Sequence, residues 1–429
     1  MSTFSYLNNR YHCEDVSLED LARTVGTPVY IYSQKDIATR CQDLIQAFSS
    51  YPTLICYAVK ANSNLSILRE IARHGIGADL VSVGELERAL RVGVEPHKIV
   101  FSGVGKTPLE MRRALSTGIL FFNVESTFEL EALSQVAKSL GVKAPISLRI
   151  NPNIDAKTNA KIATGLYTTK FGLPEQDLPS LADHIARDPH LELVGIACHI
   201  GSQIVELAPL EKAAQRMADL ALALKNQGHE LKYLDLGGGL GIRYHHETPP
   251  SAQAYAQTLT AAARKTGLTL VIEPGRSIIG NAGILLTRVI GVKQTPEREF
   301  VVIDAAMNDL IRPTLYEAYH DIVPVVPPKA GAATNLCDFV GPVCETGDYI
   351  AKDRQVVPPQ AGDLFAIRSC GAYGSSMASQ YNSRPRPAEI LVSGSTWSTI
   401  RPRESLESLW ESELNALAHS ENGSAPYIP

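Results

Sequence analysis

Apolar positions along this chain follow two rhythms. From residue 53 onward short β-rich runs recur: TLICYA (53–58), ADLV (78–81), IVF (99–101), ILFFNV (119–124), ISLRI (146–150), VGIAC (194–198), YLDL (233–236) and LVI (270–272). Between them, segments 65–74, 84–91, 108–115, 127–140, 176–187, 207–226 and 252–265 repeat their apolar residues at helical spacing. Strands alternating with helices predict parallel βαβ units. The strands are continuous apolar runs, as expected when both faces are covered. An open doubly wound sheet satisfies the same rule, but eight evenly repeated units favour closure into a (β/α)8 TIM-like barrel of the α/β class.

After about residue 285 the texture changes. LLTRVIGV, EFVVIDAAM, DIVPVV, CDFVGPVC, DLFAIRS and AEILVSG are short strands without intervening helices, punctuated by prolines. They predict an antiparallel β domain. The expected division is 30–285 for the barrel, and 1–29 with 286–429 for the β domain, which the first ~30 residues are expected to join because they precede the barrel and contain VYIYS. The closing SENGSAPYIP reads as a loose tail.

Composition narrows the function. Hydrophobic residues make up 45% and charged residues 20% of 429, an ordinary globular balance that excludes disordered and fibrous classes. With 40 Lys+Arg against 45 Asp+Glu there is no basic field, so no nucleic-acid partner is expected. No apolar run reaches the roughly 20 residues of a membrane span, and MSTFSYLNNRYHCEDVSLED lacks the features of a secretory leader. Seven scattered cysteines suit reduced thiols in a cytoplasmic protein. Cys337 and Cys344 are not at zinc-ligand spacing and no CxxC occurs, so no metal is expected.

The unusual residues fall at strand ends. Lys60 follows the first strand in YAVKAN, Asp79 lies in the second, Arg149 ends the fifth, and His199 follows the sixth. Gly237, Gly238 and Gly239 follow the seventh, and Glu273, Pro274, Gly275 and Arg276 the eighth. Carboxyl ends are where barrels build their sites. An isolated GGG is more often a flexible turn, but two glycine turns after strands seven and eight suit a phosphate cradle. LDLGGGLGI lacks the GxGxxG spacing of a dinucleotide site. Taken alone, Lys60 reads as a snorkelling surface residue and His199 as a structural histidine. Beside a phosphate cradle, a lysine amine with a lowered pKa suits a Schiff base with a carbonyl cofactor such as pyridoxal 5'-phosphate. Glu273 then suits the pyridine nitrogen, keeping it protonated as an electron sink. His199 suits the ring face, and Ser202, in the same HIGS segment, the phosphate.

YAVKAN, HIGSQ, DLGGGLGI, EPGRS, GPVCETGD and GAYG occur in order and span nearly the whole chain. Together they resemble the pyridoxal-phosphate-dependent decarboxylases built on an alanine-racemase-type barrel. Within that family, LIRPTLYEAYH and GPVCETGD are most similar to members that convert meso-2,6-diaminopimelate to L-lysine and CO2. The resemblance implies that Lys60 carries the cofactor and that Ser202, Gly239 and the Gly275–Arg276 turn hold its phosphate. It also implies that His199 stacks, that Glu273 meets the ring nitrogen, and that Tyr373 lies near phosphate and substrate. It further implies a homodimer in which Cys344 and Glu345 reach the other subunit's site, with Cys344 as proton donor. For the distal end of the substrate, Arg276 and Arg312 suit a carboxylate, Glu345 an ammonium, and Tyr316 and Tyr373 hydroxyl contacts. A carboxylate at residue 273, where racemases resembling this barrel generally place arginine, argues for decarboxylation.

The segment NPNIDAKTNAKIATGLYTTKFG resembles the family's lid, but Asn159 stands where relatives usually carry histidine and Ala163 where serine is common. Three other readings remain open on the sequence. They are a decarboxylase of another basic or carrier-linked amino acid, a non-catalytic descendant of such an enzyme, and a phosphosugar barrel without cofactor. The last leaves Lys60 and His199 unexplained.

Overall fold

The computed structural model describes residues 3–421. The chain forms two compact units. One is Gln34–Ala282 with Gly371–Ser376; the other comprises the described parts of Met1–Ser33, Gly283–Cys370 and Met377–Pro429.

The first unit is a closed barrel. Its strands are β1 (Thr53–Ala58), β2 (Gly77–Leu80), β3 (Ile99–Phe101), β4 (Phe121–Val124), β5 (Ala144–Asn151), β6 (Leu191–Ala197), β7 (Tyr233–Asp235) and β8 (Thr269–Ile272). Each pairs in parallel with its successor, and β8 returns to β1 through Leu270–Thr53, Val271–Leu54 and Ile272–Ile55. Helices follow the strands at Leu65–Ala72, Val83–Arg91, Pro108–Thr117, Thr127–Leu140, Leu178–Arg187, Leu207–Asn226 and Ala252–Thr266, within a few residues of the periodicity read from the sequence.

Local chemistry sets their ends. Thr107 and Glu110 form a reciprocal capping box at Pro108–Thr117, and left-handed Gly118, Gly141 and Gly267 stop three helices. A further helix, Gln34–Phe48, precedes β1 and was not anticipated. It buries Ile37, Cys41, Leu44 and Phe48, the last edge-on to Tyr255 at 5.8 Å.

Alternation within the strands builds the interior. Cys56, Val100, Phe121, Val194 and Val271 cluster, with Leu54, Leu120 and Tyr233 packed against them. Two residues further along β3, β4, β7 and β8, on the same faces, come Ser102, Asn123, Asp235 and Glu273, all buried. An apolar layer thus underlies a polar one at the carboxyl ends.

The second unit is a mostly antiparallel sheet. Its strands run in the order Tyr349–Val356, Asn335–Val340, Glu299–Ile303, Gly283–Gln294, Val29–Ser33, Ala388–Ser393, Thr396–Arg401, with Leu364–Ile367 also on Gly283–Gln294 and Ile322–Pro324 beyond it. Asn335–Val340 and Ala388–Ser393 each run parallel to one neighbour. Buried Val29, Ile31, Ile284, Leu286, Ala366, Ile390 and Val392 form its core with Leu18, Leu21 and Ala22 of the helix Leu18–Val25.

Two boundaries differ from those expected. Val29–Ser33 is a sheet strand bonded on both sides, so the division falls after Ser33 rather than after residue 29. Gly371–Ser376, expected in the β domain, groups with the barrel, where Asn62 Nδ2 donates to Gly371 O at 3.2 Å and Tyr373 N–H to Ala61 O at 2.8 Å. Of the expected tail, Ser420 and Glu421 end a helix, Glu411–Glu421; the rest lies outside the described residues.

Candidate active site

The carboxyl ends of the barrel strands bring together Ala58, Lys60, His199, Ser202, Gly239, Leu240, Glu273, Gly275, Arg276 and Tyr373 around one pocket. Lys60 sits in a single turn, Val59–Ala61, directly after β1, and its Nζ donates to Asp79 Oδ2 of β2 at 2.5 Å. Burial disfavours the ammonium, but the Asp79 and Glu273 carboxylates outweigh it and raise the pKa of Lys60. This corrects the lowered pKa expected from the sequence: Asp79, remote in the chain, is its neighbour in the fold.

His199 is held neutral. Burial first, then the positive charges of Arg149 and Lys60, push its pKa well below the ordinary histidine value. Its Nδ1 accepts from Gly238 N–H at 3.2 Å, leaving a flat uncharged ring at the pocket wall. Glu273 lines the same pocket. Burial, then Asp235 and Asp79, raise its pKa well above the usual carboxyl range, with Lys60 opposing.

The glycines divide their roles. Gly237 N–H donates to Asp235 Oδ1 at 2.9 Å and Gly238 N–H to His199 Nδ1, so these two shape the turn rather than present donors to a phosphate. Of the three, Gly239 lines the pocket. A Cβ on Gly238 would lie 2.2 Å from Glu273 O, one on Gly239 (φ +107°) 2.7 Å from Gly201 O, and one on Gly275 3.0 Å from Ala58 Cβ. Arg276 is buried; its Nη2 and Nε donate to Ser202 Oγ at 3.0 and 3.2 Å and its Nη1 to Tyr244 OH at 2.6 Å. The Tyr373 ring lies 4.9 Å from that guanidinium, on a residue with φ +54°. Pro274 does not line the pocket; its carbonyl accepts from Ala58 N–H at 3.0 Å and ties β8 to β1.

The lid segment lies along residues 199–202. Thr164 Oγ1 donates to His199 O at 2.6 Å and Thr158 Oγ1 to Ser202 O at 2.8 Å. Asn159 turns the chain by accepting from Lys161 N–H at 2.9 Å, and Ala163 forms a bridge with Gly201.

The remaining expected residues belong to the sheet unit. Arg312 opens the short helix Arg312–Tyr316 and is buried. Its Nη1 is 2.8 Å from His320 Nε2, and His320 Nδ1 is 2.8 Å from Arg368 O. Since arginine only donates, His320 accepts at Nε2 and donates from Nδ1. Tyr316 ends the same helix. Cys344 is the exposed member of seven free cysteines; its N–H donates to Asn382 Oδ1 at 3.1 Å, and Glu345 accepts from Tyr381 OH.

Sequence reasoning missed Ser102, Asn123, Asp235, Tyr244 and His320. Asn123 and Asp235 carried a usable signal, since each is a polar residue inside an apolar strand. His320 was visible in IRPTLYEAYH but was not singled out.

The residues fit pyridoxal phosphate. Three acids, Asp79, Asp235 and Glu273, are buried near one lysine, and Asp79 Oδ1 has no partner among the described residues. Such a deficit of positive charge suits a cationic ring nitrogen. The uncharged His199 ring suits a flat aromatic face, and the glycine turns leave room where any side chain would collide.

Fold and site together define a barrel-type, pyridoxal-dependent decarboxylase. The family model for the pyridoxal binding domain of pyridoxal-dependent decarboxylases matches residues 34–280. The chain is 49% identical to the diaminopimelate decarboxylase of Pseudomonas aeruginosa and 50% to that of Vibrio cholerae, each over 96% of this chain and 99% of the relative. The structure of diaminopimelate decarboxylase from Helicobacter pylori complexed with L-lysine matches with a TM-score of 0.90 at 45% identity, over 93% of this chain and 99% of that one. The chain belongs to the diaminopimelate decarboxylases. Its cofactor is pyridoxal 5'-phosphate.

Among the described residues no helix is long and apolar enough to cross a membrane, and no cluster of three or more His, Cys, Asp or Glu side chains could hold a metal ion.

Proposed function

We propose that this enzyme converts meso-2,6-diaminopimelate to L-lysine and CO2, with its chemistry divided between the barrel and residues brought by a second copy. When bound, the cofactor supplies an electron sink for the pair left when CO2 departs. Lys60 holds the cofactor's carbonyl carbon. Backbone N–H groups at Gly239 and the Gly275–Arg276 turn, with the Ser202 hydroxyl, hold its phosphate. His199, uncharged, covers the ring face without competing for its electrons. Glu273 fixes a proton on the ring nitrogen. That carboxylate, facing the same pocket as Lys60 and His199, is the observation that carries the reading.

Substrate choice rests on the far end. Arg312, its guanidinium set by His320, receives the distal carboxylate; in the barrel, Arg276 is set by Ser202 and Tyr244. Glu345 receives the distal ammonium, and Tyr316 and Tyr373 add hydroxyl contacts. We place Cys344 and Glu345 in the site of a second copy, where the Cys344 thiol protonates the carbon that lost CO2. Its exposure, against six buried cysteines, supports that role. Free thiols throughout support work in the cytoplasm.

The test is CO2 release, with pyridoxal phosphate present, from meso-diaminopimelate, L-ornithine and L-lysine. A site built to pair a buried guanidinium rejects substrates lacking the distal carboxylate by on the order of 10⁴ in kcat/KM. Comparable release from ornithine would overturn the substrate assignment and leave the reaction class standing.

A further inference from the structure

One feature of the barrel interior has no part in the roles above: the polar layer beneath Glu273. Asp235, on β7, and Glu273, just past β8, are both buried and take hydrogen bonds from the same amide nitrogen. Asn123 on β4 spans the pair, its Nδ2 3.0 Å from Asp235 Oδ2 and 3.2 Å from Glu273 Oε1. Ser102 Oγ lies 3.1 Å from the same nitrogen and 3.5 Å from Glu273 Oε1. The other Asp235 oxygen, Oδ1, accepts from Gly237 N–H. Two buried carboxylates drawn to one amide nitrogen, with Asp79 adding a third negative charge, repel one another unless one of them carries a proton.

We propose that Asp235 and Glu273 share a single proton, and that Asp235 is a positioning residue which sets, through that proton, how much negative charge Glu273 presents to the ring nitrogen. The reading rests on Glu273 facing that nitrogen. The movement is balanced within the pair: a proton leaving Glu273 Oε is taken by Asp235 Oδ, and the reverse, with no other reactant. With Asp235 carrying the proton, Glu273 is a full carboxylate and the ring nitrogen is held cationic. With Glu273 carrying it, that hold weakens.

The surroundings favour one proton rather than none or two. Asp79 adds a negative charge and Lys60 a positive one. Cys56 on β1, Cys198 after β6 and Tyr255 on Ala252–Thr266 also face the pair, and burial together with the pair's own charge pushes their pKa values up and keeps them neutral. Burial raises Asp235 to about 6, against the donors Asn123 and Gly237, and raises Glu273 further. Asn123, whose amide nitrogen reaches both acids, holds them in register whichever carries the proton.

The experiment is infrared difference spectroscopy of the full-length enzyme, stripped of pyridoxal phosphate and reloaded, with ¹³C-labelled carboxyl groups. Wild type is expected to show a protonated-carboxyl C=O band at neutral pH in the stripped form. Asp235→Asn removes one of the causes that raise Glu273 while burial and Asp79 remain, so the band is expected to titrate at lower pH than in wild type. In the reloaded form the same variant shifts the pH dependence of the bound cofactor's visible absorption and lowers kcat with little change in KM. Read in the difference between wild type and variant, which cancels buried Asp309, raised to about 7, absence of the band from stripped wild type, or a titration that Asp235→Asn leaves unmoved, would overturn the shared proton. If the variant does not fold, Glu273→Gln takes its place: a protonated-carboxyl band at neutral pH in the wild-type-minus-variant difference supports the shared proton, and a difference without one refutes it. None of the band measurements depends on how the cofactor docks. A Glu273 that does not meet the ring nitrogen shows itself separately, as a loaded enzyme whose absorption ignores Glu273→Gln.

Discussion

Lys60→Ala enzyme, purified and incubated with pyridoxal phosphate, is expected to remain without the borohydride-sensitive visible absorption of wild type. Activity should fall by on the order of 10⁴ or more, because no other amine replaces the covalent hold. The reason is positional. Among the residues lining the pocket Lys60 is the lysine, and its partner Asp79 fixes its place. The same variant tests whether the site is shared between two copies, as proposed. Mixed and reassorted with Cys344→Ala enzyme, itself expected to be inactive, it should then regain about a quarter of wild-type activity. Half the random pairs then hold one site with both Lys60 and Cys344 intact. No recovery, from variants shown to exchange subunits, would place Cys344 outside the partner's site.

Glu273→Gln separates binding from turnover. The amide keeps the shape and still meets Asn123, but cannot hold a cationic nitrogen. We expect kcat to fall by on the order of 10²–10³, the scale seen when one preorganised electrostatic partner is removed. Cofactor affinity, measured by spectroscopic titration, should change by less than about tenfold, since Lys60 and the phosphate cradle remain. A variant retaining most of its turnover would show that the electron sink does not depend on this carboxylate.

The barrel was legible because its strands are buried on both faces and so are written as unbroken apolar runs, with glycines and charges crowding their ends. Lys60, His199, Ser202, Gly239, Glu273 and Arg276 could be read from those ends. What escaped notice depends on neighbours distant in the chain. The pKa of Lys60 rises because β2 runs beside β1 and puts Asp79 within reach. Gly237 and Gly238 look like phosphate donors until Asp235 and His199 are seen to take their N–H groups. Asn123 and Asp235 were written inside two strands, yet only the two-residue stagger above Phe121 and Tyr233 reveals them as a layer. The helix Gln34–Phe48 was passed over because no strand of the repeat precedes it, although Ile37, Cys41, Leu44 and Phe48 fall at helical spacing. VYIYS pointed the first segment to the second sheet, but an apolar run does not tell that all of Val29–Ser33 enters it between two strands distant in the chain.

That strand carries a consequence for synthesis. Val29–Ser33 is flanked by Gly283–Gln294 on one side and Ala388–Ser393 on the other. It is made well before either neighbour, and its second edge is covered only after some 350 further residues have been made. Until then a growing chain carries an apolar ribbon with bare amide and carbonyl groups, the kind of edge that invites association with other chains. Any product that stops short of Ala388 keeps that edge permanently open.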